Sequence, residues 1–194
     1  MVISERREMS EGIPGAHNVD HVGVSVPDLD QAISFFRDVL GAEFLFRFEE
    51  GSGTENPADL EKTFEVDPNS KLKIAMLRLG PSLNLELMEY QTPGQNRSIP
   101  KTSDIDVAHI AFWVEDMDAA ATYLAQHGCR LLDGPFQSDK GPKAGQQIRY
   151  FMSPWGMAME ILHRPLHMPY EKGTRSRLFG PLSSWHEPLT DGPN

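Results

Sequence analysis

The sequence contains a single cysteine, which excludes two ways of stabilising a small fold. With only Cys129 among 194 residues, the chain can form neither an intrachain disulfide nor a cysteine-based zinc cluster. Cys129 follows Gly128, which ends a predicted helix, and we interpret the cysteine as a small buried residue.

Long apolar runs and the features of a secretion signal are absent as well. No apolar run approaches the roughly 18 residues that are needed to span a bilayer. The first residues, MVISERREMSEG, are charged and lack the apolar centre of a signal peptide. Together with the single cysteine, these absences predict a soluble cytoplasmic protein.

Basic residues are scarce relative to acidic ones. The chain has 18 lysines and arginines against 28 aspartates and glutamates, which gives a formal net charge of −10 with its seven histidines neutral. Such a charge repels nucleic acids and anionic lipid, so we expect neither a nucleic-acid partner nor a membrane partner. An apolar fraction of 39% is typical of a globular domain.

The signatures of several enzyme classes are also missing. The sequence has no GxSxG nucleophile elbow, no phosphate-binding P-loop and no dinucleotide fingerprint. The glycines at 51–53 form too short a motif to count as one of these.

What the sequence does contain is an internal repeat. Residues 19–32 read VDHVGVSVPDLDQA, and residues 107–120 read VAHIAFWVEDMDAA. At one constant spacing the identical pairs are Val19/Val107, His21/His109, Val26/Val114, Asp28/Asp116, Asp30/Asp118 and Ala32/Ala120. Two copies with so long a period indicate a duplicated module rather than a solenoid.

Each copy has the pattern of a strand, a helix and three further strands. Residues 21–26 and 109–114 alternate apolar and polar positions, which predicts half-buried strands. A helix is predicted after each of these strands. The first begins at the N-cap Asp28 and ends at Gly41, and the second begins at the N-cap Asp116 and ends at Gly128. The further strands are predicted near 43–48, 71–79 and 83–89, and near 130–133, 146–152 and 157–162. The order is therefore βαβββ, twice.

This pattern predicts an α+β fold with two tandem βαβββ modules. The expected divisions are an N-terminal tail at 1–18, a first module at 19–90, a linker at 91–106, a second module at 107–163 and a Pro-rich C-terminal tail at 164–194. Residues 49–70 are expected to form a long loop with a short helical turn at 57–64. The apolar residues Tyr170, Phe179 and Trp185 predict that the tail packs on a module or on the partner of a homodimer.

Four residues recur in pairs and could form a metal site. His21 and His109 open equivalent strands, while Glu86 in LNLELMEY and Glu160 in GMAMEIL lie within apolar runs near the ends of the modules. Strand parity places each glutamate opposite the main apolar face. An unpaired carboxylate on a central strand needs a cation or a solvated cleft. A single strand histidine or glutamate is usually structural, but the paired recurrence favours one divalent metal per chain.

The chain resembles the vicinal oxygen chelate superfamily, which includes glyoxalase I, methylmalonyl-CoA epimerase, extradiol dioxygenases and bleomycin resistance proteins. The resemblance is carried by HVGVSVPDLDQAISFFRDVLGAEF, HIAFWVEDMDAAATYL and SPWGMAMEIL. It implies paired modules that form a curled mixed sheet around a metal-binding cleft. The ligands that it implies are His21, Glu86, His109 and Glu160, around Mn, Fe, Co, Ni or Zn. The implied substrate is a small molecule with vicinal oxygens.

The resemblance is nearest to methylmalonyl-CoA epimerase-like and glyoxalase I-like members. Methylmalonyl-CoA epimerases commonly carry Gln where Glu86 stands, so Glu86 points toward the glyoxalase I pattern. The implied activity is that of a metal-dependent isomerase or epimerase, in which Lewis-acid activation of a carbonyl accompanies proton transfer by Glu86 or Glu160 through an enolate-like intermediate. The alternatives are a glyoxalase I-like lyase, an extradiol-type dioxygenase and a non-catalytic binding or resistance protein.

Several other residues are weaker candidates for the site. Glu49 or Glu50 could serve as a base, although a solvated loop is the more ordinary interpretation. The cations that could meet an anionic substrate are Arg47, Arg78, Lys143 and Arg149, each of which is individually typical of a surface charge. Trp113 and Tyr150 could line the cleft, but aromatic residues on strands usually belong to the core. His127, at a helix end, is a poor candidate for catalysis.

Overall fold

The computed structural model describes residues 12–48, 57–182 and 184–185. The first half contains β1 (Val22–Ser25), α1 (Leu29–Asp38), β2 (Glu43–Phe48), α2 (Pro57–Phe64), β3 (Lys71–Leu79) and β4 (Leu83–Gln91). The second half contains β5 (Ile110–Trp113), α3 (Met117–Gln126), β6 (Arg130–Leu131), β7 (Phe136–Gln137), β8 (Gln147–Met152) and β9 (Ala158–His163). The predicted helical turn at 57–64 coincides with α2.

The strands form two mixed sheets with the same plan. The first sheet has the order β1-β4-β3-β2, and the second has the order β5-β9-β8-β6, with β7 also paired to β8. In each sheet the opening strand runs parallel to the closing strand, whereas the other pairs are antiparallel. The predicted α+β class with repeated strand order is confirmed. The predicted strand at 130–133 is shorter, and β7 was not predicted.

The predicted caps explain where the two main helices begin. The side chain of Asp28 accepts a hydrogen bond from the backbone N–H of Gln31 at 2.8 Å. Asp116 accepts from the N–H groups of Asp118 and Ala119 in the same way. These bonds satisfy amide groups that have no partner within a helix, and the negative charge stabilises the positive end of the helix dipole.

One continuous core lies between the helices and the inner faces of both sheets. Its largest fully buried side chains are Leu29, Phe36, Leu77, Leu85, Leu87, Phe151 and Met159. The halves meet where Trp155 packs edge-on against Phe35, with ring centroids 5.2 Å apart. The hydroxyl of Tyr123 on α3 also donates to the carbonyl of Val39, after α1, at 3.0 Å. The helix-bearing sides of the modules are therefore joined, and the opposite sheet faces stay open.

The C-terminal tail contacts both halves through Trp185. Its indole N–H donates to the carbonyl of Gly41 at 3.2 Å, and its ring lies 6.1 Å from that of Phe112 on β5. Phe179, in contrast, is 98% exposed. Within the described part of the chain, no helix is both long enough and apolar enough to cross a membrane.

Candidate active site

Glu86 lies on the open face of the first sheet because of strand alternation. Its neighbours Leu85 and Leu87 are fully buried in the core, so the intervening side chain points to the other side of β4. Glu86 pairs in register with Gly23 on β1 and with Met76 on β3. Its side chain is 22% exposed. The predicted orientation of this carboxylate is thus found in the structure.

His21, directly before β1, stands beside Glu86. Its Nε2 atom lies 3.5 Å from Oε2 of Glu86, and its Nδ1 atom lies 2.8 Å from Oδ2 of Asp20. The hydrogen bond to Asp20 is the main cause that raises the pKa of His21; burial opposes it, and the charges of Glu86 and Asp20 add to it. When Asp20 accepts the Nδ1 proton of the neutral ring, Nε2 keeps its lone pair on the side of Glu86, as a metal ligand requires.

Gly23 provides the space around this pair. A Cβ atom at Gly23 would lie 2.9 Å from Cε of Met88 and 3.5 Å from Oε2 of Glu86. The first distance is too short for non-bonded carbon atoms, so a side chain here would displace Met88. The absence of a side chain at Gly23 therefore leaves space on the β1 side of the Glu86 carboxylate.

His109 and Glu160 repeat the arrangement in the second sheet. Glu160 lies between the buried residues Met159 and Ile161 of β9 and pairs in register with Ala111 of β5. Nε2 of His109 is 3.3 Å from Oε2 of Glu160, whose side chain is only 8% exposed. The second pair is thus the structural equivalent of the first, with a more deeply placed carboxylate.

Tyr150 belongs to the second pair and has no counterpart in the first. It pairs in register with Glu160, and its hydroxyl lies 3.3 Å from Nε2 of His109. Burial raises the pKa of Tyr150, and the charge of Glu160 and a hydrogen bond to its side chain raise this pKa further. The sequence indicates Tyr150 as a residue that could line the cleft. It does not reveal this contact, because the pairing of β8 with β9 is needed to see it.

The two His–Glu pairs remain separate within one chain. Among the described residues, no group of three or more His, Cys, Asp or Glu side chains is close enough to hold a metal ion. Each pair nevertheless offers one imidazole nitrogen and one carboxylate oxygen, and two such pairs suit Mn, Fe, Co, Ni or Zn. We call His21 with Glu86 the first half-site and His109 with Glu160 the second half-site. The donor types of both half-sites fit a divalent metal.

Comparison with known proteins identifies the family. The family model of the glyoxalase/bleomycin resistance protein/dioxygenase superfamily matches residues 20–150, which is more than half of the chain. The chain belongs to this superfamily. The resemblance seen in the sequence is confirmed.

Individual members of the superfamily resemble the chain to different degrees. A 2-epi-5-epi-valiolone epimerase from Actinomyces sp is 45% identical over 177 residues, covering 91% of this chain and 95% of that protein. A glyoxalase family protein from Bacillus cereus shares the fold, with a TM-score of 0.60, 21% identity and coverage of 80% and 98%. A fosfomycin resistance protein from Listeria monocytogenes was determined with Mn(II) and sulfate; it is 18% identical, with a TM-score of 0.45 and coverage of 78% and 95%.

The three arginines that the sequence offers as candidates have structural partners in the folded chain. Arg47 pairs with Asp30 at 2.9 Å, Arg78 pairs with Glu43, and Nε of Arg149 donates to the carbonyl of Leu132 at 2.9 Å. Arg47 is thus held by α1, Arg78 by the neighbouring strand β2, and Arg149 by the segment after β6. Lys143 ends a short 3-10 helix, Gly141–Lys143. Glu49 and Glu50 lie outside the described residues.

The remaining candidates are also structural. The ring of Trp113 packs on His163, with centroids 5.5 Å apart. Nδ1 of His127 lies 2.7 Å from the carbonyl of Tyr123 at the end of α3. Burial raises the pKa of Cys129 to about 11, so its thiol stays protonated and unreactive at neutral pH. The predicted structural role of Cys129 is in agreement with this burial.

A cavity of about 510 Å³ lies between the opening strands of the two modules. Its wall includes β1, residues 95–100 of the connection between the modules, and the segment from Asp106 to Ile110. His109 borders this cavity, whereas neither Glu86 nor Glu160 lines it.

Proposed function

We propose that the protein is a metal-dependent epimerase that inverts a carbon centre beside a ketone. The choice of reaction follows the 45% identity to an epimerase along nearly the whole of both chains. The observation that supports the chemistry is the repeated His–Glu pair, at 3.5 Å in one sheet and 3.3 Å in the other. Two carboxylates beside two imidazoles provide both metal ligands and proton acceptors.

The substrate class that we propose is a small polyhydroxylated cyclic ketone. The name of the Actinomyces protein describes a ketone, and a ketone with a hydroxyl group on the adjacent carbon presents two neighbouring oxygens. A hydrogen on that adjacent carbon is more acidic than other C–H hydrogens, because the carbonyl delocalises the charge that is left behind. Loss and return of this proton inverts the centre and leaves the composition of the molecule unchanged.

The residues that would hold the metal are those of the two half-sites. His21 and His109 contribute nitrogen, and Glu86 and Glu160 contribute oxygen. When bound, the divalent ion supplies Lewis-acid stabilisation of the negative charge that develops on the carbonyl oxygen. Asp20 fixes the ring of His21 through Nδ1, so the imidazole keeps one orientation.

The proton transfer is assigned to the glutamates. An epimerase removes a proton from one side of a carbon and returns one to the other side. Glu86 and Glu160 come from different sheets, so they can approach a substrate from different directions. A carboxylate that acts as a general base typically increases the rate by a factor of about 10²–10⁴.

A second copy of the chain would bring the half-sites together. We propose a homodimer in which the first half-site of each chain faces the second half-site of its partner. The open face of the first sheet supports this assembly: Phe46 and Phe48 pair in register with Met76 and Ile74, on the side of Glu86, and both are 47% exposed. Aromatic residues exposed around a polar centre are typical of a protein interface.

The function is tested with the ketone named above. Purified protein, stripped of metal and then reloaded with Mn, Fe, Co, Ni or Zn, is incubated with 2-epi-5-epi-valiolone, and the products are followed by NMR. We expect an epimer of unchanged mass from the loaded protein and none from the stripped protein. Oxygen uptake with ring cleavage would contradict the proposal and indicate a dioxygenase, and a strict requirement for a thiol would indicate a glyoxalase-like lyase.

A further inference from the structure

The residue beside the glutamate distinguishes the second half-site from the first. Tyr150 on β8 is the register partner of Glu160, whereas Met76 on β3 is the register partner of Glu86. Tyrosine has a hydroxyl group that donates a hydrogen bond, and methionine has no donor. Two half-sites with the same His–Glu pair therefore differ in the group that can hold the carboxylate.

The hydroxyl of Tyr150 lies in a compact group of polar atoms. It is 3.3 Å from Nε2 of His109, and the same nitrogen is 3.3 Å from Oε2 of Glu160. Tyr150 also lies directly opposite Glu160 in the register of β8 and β9, so its hydroxyl is carried beside a carboxylate whose ionised form only accepts hydrogen bonds. The rings of Tyr150 and His109 are 5.2 Å apart, so packing as well as hydrogen bonding places the tyrosine.

We propose that Tyr150 is a positioning residue that orients Glu160 as a metal ligand. This inference rests on the metal site proposed above. A metal at Nε2 of His109 occupies the nitrogen lone pair that the hydroxyl faces, so Glu160 becomes the acceptor for the tyrosine O–H. Outer groups that hydrogen-bond a metal ligand fix its orientation, and their removal typically lowers metal affinity or activity by about 10–100-fold.

The proposal is tested with Tyr150→Phe in the full-length protein. This substitution removes the hydroxyl and keeps the ring beside His109. The binding of Mn²⁺ is measured by electron paramagnetic resonance of the free ion, with thermal unfolding and light scattering measured on the same samples. We expect an affinity about 10–100-fold weaker than that of the wild type, with unchanged fold and assembly.

Tyr90→Phe is the matched control. Tyr90 lies on β4, and its hydroxyl contacts Sδ of Met88 at 3.6 Å instead of a proposed ligand. We expect this variant to bind Mn²⁺ as the wild type does. A second comparison places Tyr150→Phe in the Glu160→Gln and Glu86→Gln backgrounds. If Tyr150 acts through Glu160, Tyr150→Phe should weaken Mn²⁺ binding only slightly in the Glu160→Gln background. In the Glu86→Gln background it should weaken binding as much as it does in the wild type, because only coupled residues are non-additive.

The possible outcomes separate this inference from the proposed function. Wild-type Mn²⁺ affinity in Tyr150→Phe, or an equal loss in both glutamate backgrounds, would overturn the role of Tyr150 and leave the metal site intact. A wild-type protein that binds none of the tested metals would overturn the metal site itself. If Glu160→Gln binds no Mn²⁺, the comparison of Tyr150→Phe with Tyr90→Phe decides the question.

Discussion

The two histidines occupy equivalent positions in the repeat, yet different neighbours hold them. His21 contacts Asp20 through Nδ1, whereas His109 is preceded by Ala108 and contacts Tyr150 through Nε2. The duplicated module therefore retains the His–Glu pair and varies the groups around it. Because the two half-sites have unequal surroundings, they suit a reaction in which Glu86 and Glu160 have different roles.

The first prediction concerns metal content. The wild type should contain about one divalent ion per chain, and His21→Ala or His109→Ala should lose it, because each removes one of the four proposed ligands. Elemental analysis of the purified proteins measures this. His127→Ala is the control, since His127 contacts Tyr123 of α3 through Nδ1 and through ring stacking and is not a proposed ligand. Full metal retention in both ligand variants would contradict the assignment.

The sequence predicts the position of each His–Glu pair from local patterns. Alternation along β4 and β9 is enough to orient Glu86 and Glu160, and the repeat identifies the matching histidines. The contacts of Tyr150 with His109 and Glu160 depend on strand pairing, which the sequence does not display. The ion pair of Arg78 with Glu43 likewise depends on the pairing of β3 with β2. For this reason the sequence alone indicates those residues only as weaker candidates.

At the scale of single elements, Glu89 on β4 connects the first sheet to the start of α1. Its Oε2 atom accepts a hydrogen bond from the backbone N–H of Leu29 at 2.9 Å. Burial alone would raise the pKa of Glu89, but the hydrogen bonds from Leu29 and Gln91 and the charge of Lys73 outweigh it, so the pKa is lowered. The charged form therefore stabilises the fold.

The second prediction follows from the direction of this shift. A group with a lowered pKa in the folded state contributes stability above its unfolded pKa and loses it as the pH falls through the folded pKa. Glu89→Gln should therefore lower the free energy of unfolding by about 1–3 kcal/mol at neutral pH, with a shrinking difference under acidic conditions. Urea unfolding between neutral and acidic pH measures it. A difference that stays constant with pH would contradict the role of the charge.

Element boundaries were predictable where caps and alternation coincide. Asp28 and Asp116 begin their helices as expected, and β3 occupies the predicted range. The segment after α3 was less predictable: β6 contains only Arg130–Leu131, and Phe136–Gln137 forms the additional strand β7. Strands of two residues are too short to show an alternating sequence pattern. Their position is determined by pairing with β8.

At the scale of the whole molecule, the two modules are joined by their helix-bearing sides and by the tail. Trp185 closes this junction: a Cβ atom at Gly41 or Gly80 would lie 3.0 Å from its ring. Both glycines have positive φ angles, +71° and +62°, that other residues rarely adopt. The turns after α1 and between β3 and β4 are therefore shaped to receive the indole.

The third prediction concerns the tail. Trp185→Ala should lower the free energy of unfolding by about 1–2 kcal/mol, less than for a fully buried tryptophan, since Trp185 is 40% exposed. Phe179→Ala is the matched control in the same tail and should change stability by less than about 0.5 kcal/mol. Urea unfolding midpoints measure both variants. Equal effects of the two substitutions would show that the indole does not hold the modules together.

The fourth prediction tests the proposed assembly. One variant carries His21→Ala and Glu86→Ala, and the other carries His109→Ala and Glu160→Ala, so neither alone has an intact set of ligands. After mixing and exchange of subunits, random pairing in a twofold dimer should restore about a quarter of the wild-type metal sites. Metal analysis after dialysis measures the restoration. Absence of restoration from subunits that demonstrably exchange would place the site within one chain.

We propose above that Glu86 and Glu160 transfer a proton beside a ketone. The most direct measurement is the reaction of 2-epi-5-epi-valiolone in D₂O, followed by NMR, with the wild type, Glu86→Gln and Glu160→Gln at matched metal content. We expect deuterium at the carbon beside the ketone with the wild type, and a loss of about 10²–10⁴ in rate for at least one variant that keeps its metal. Epimer formation without deuterium incorporation, at wild-type rates in both variants, would contradict the account.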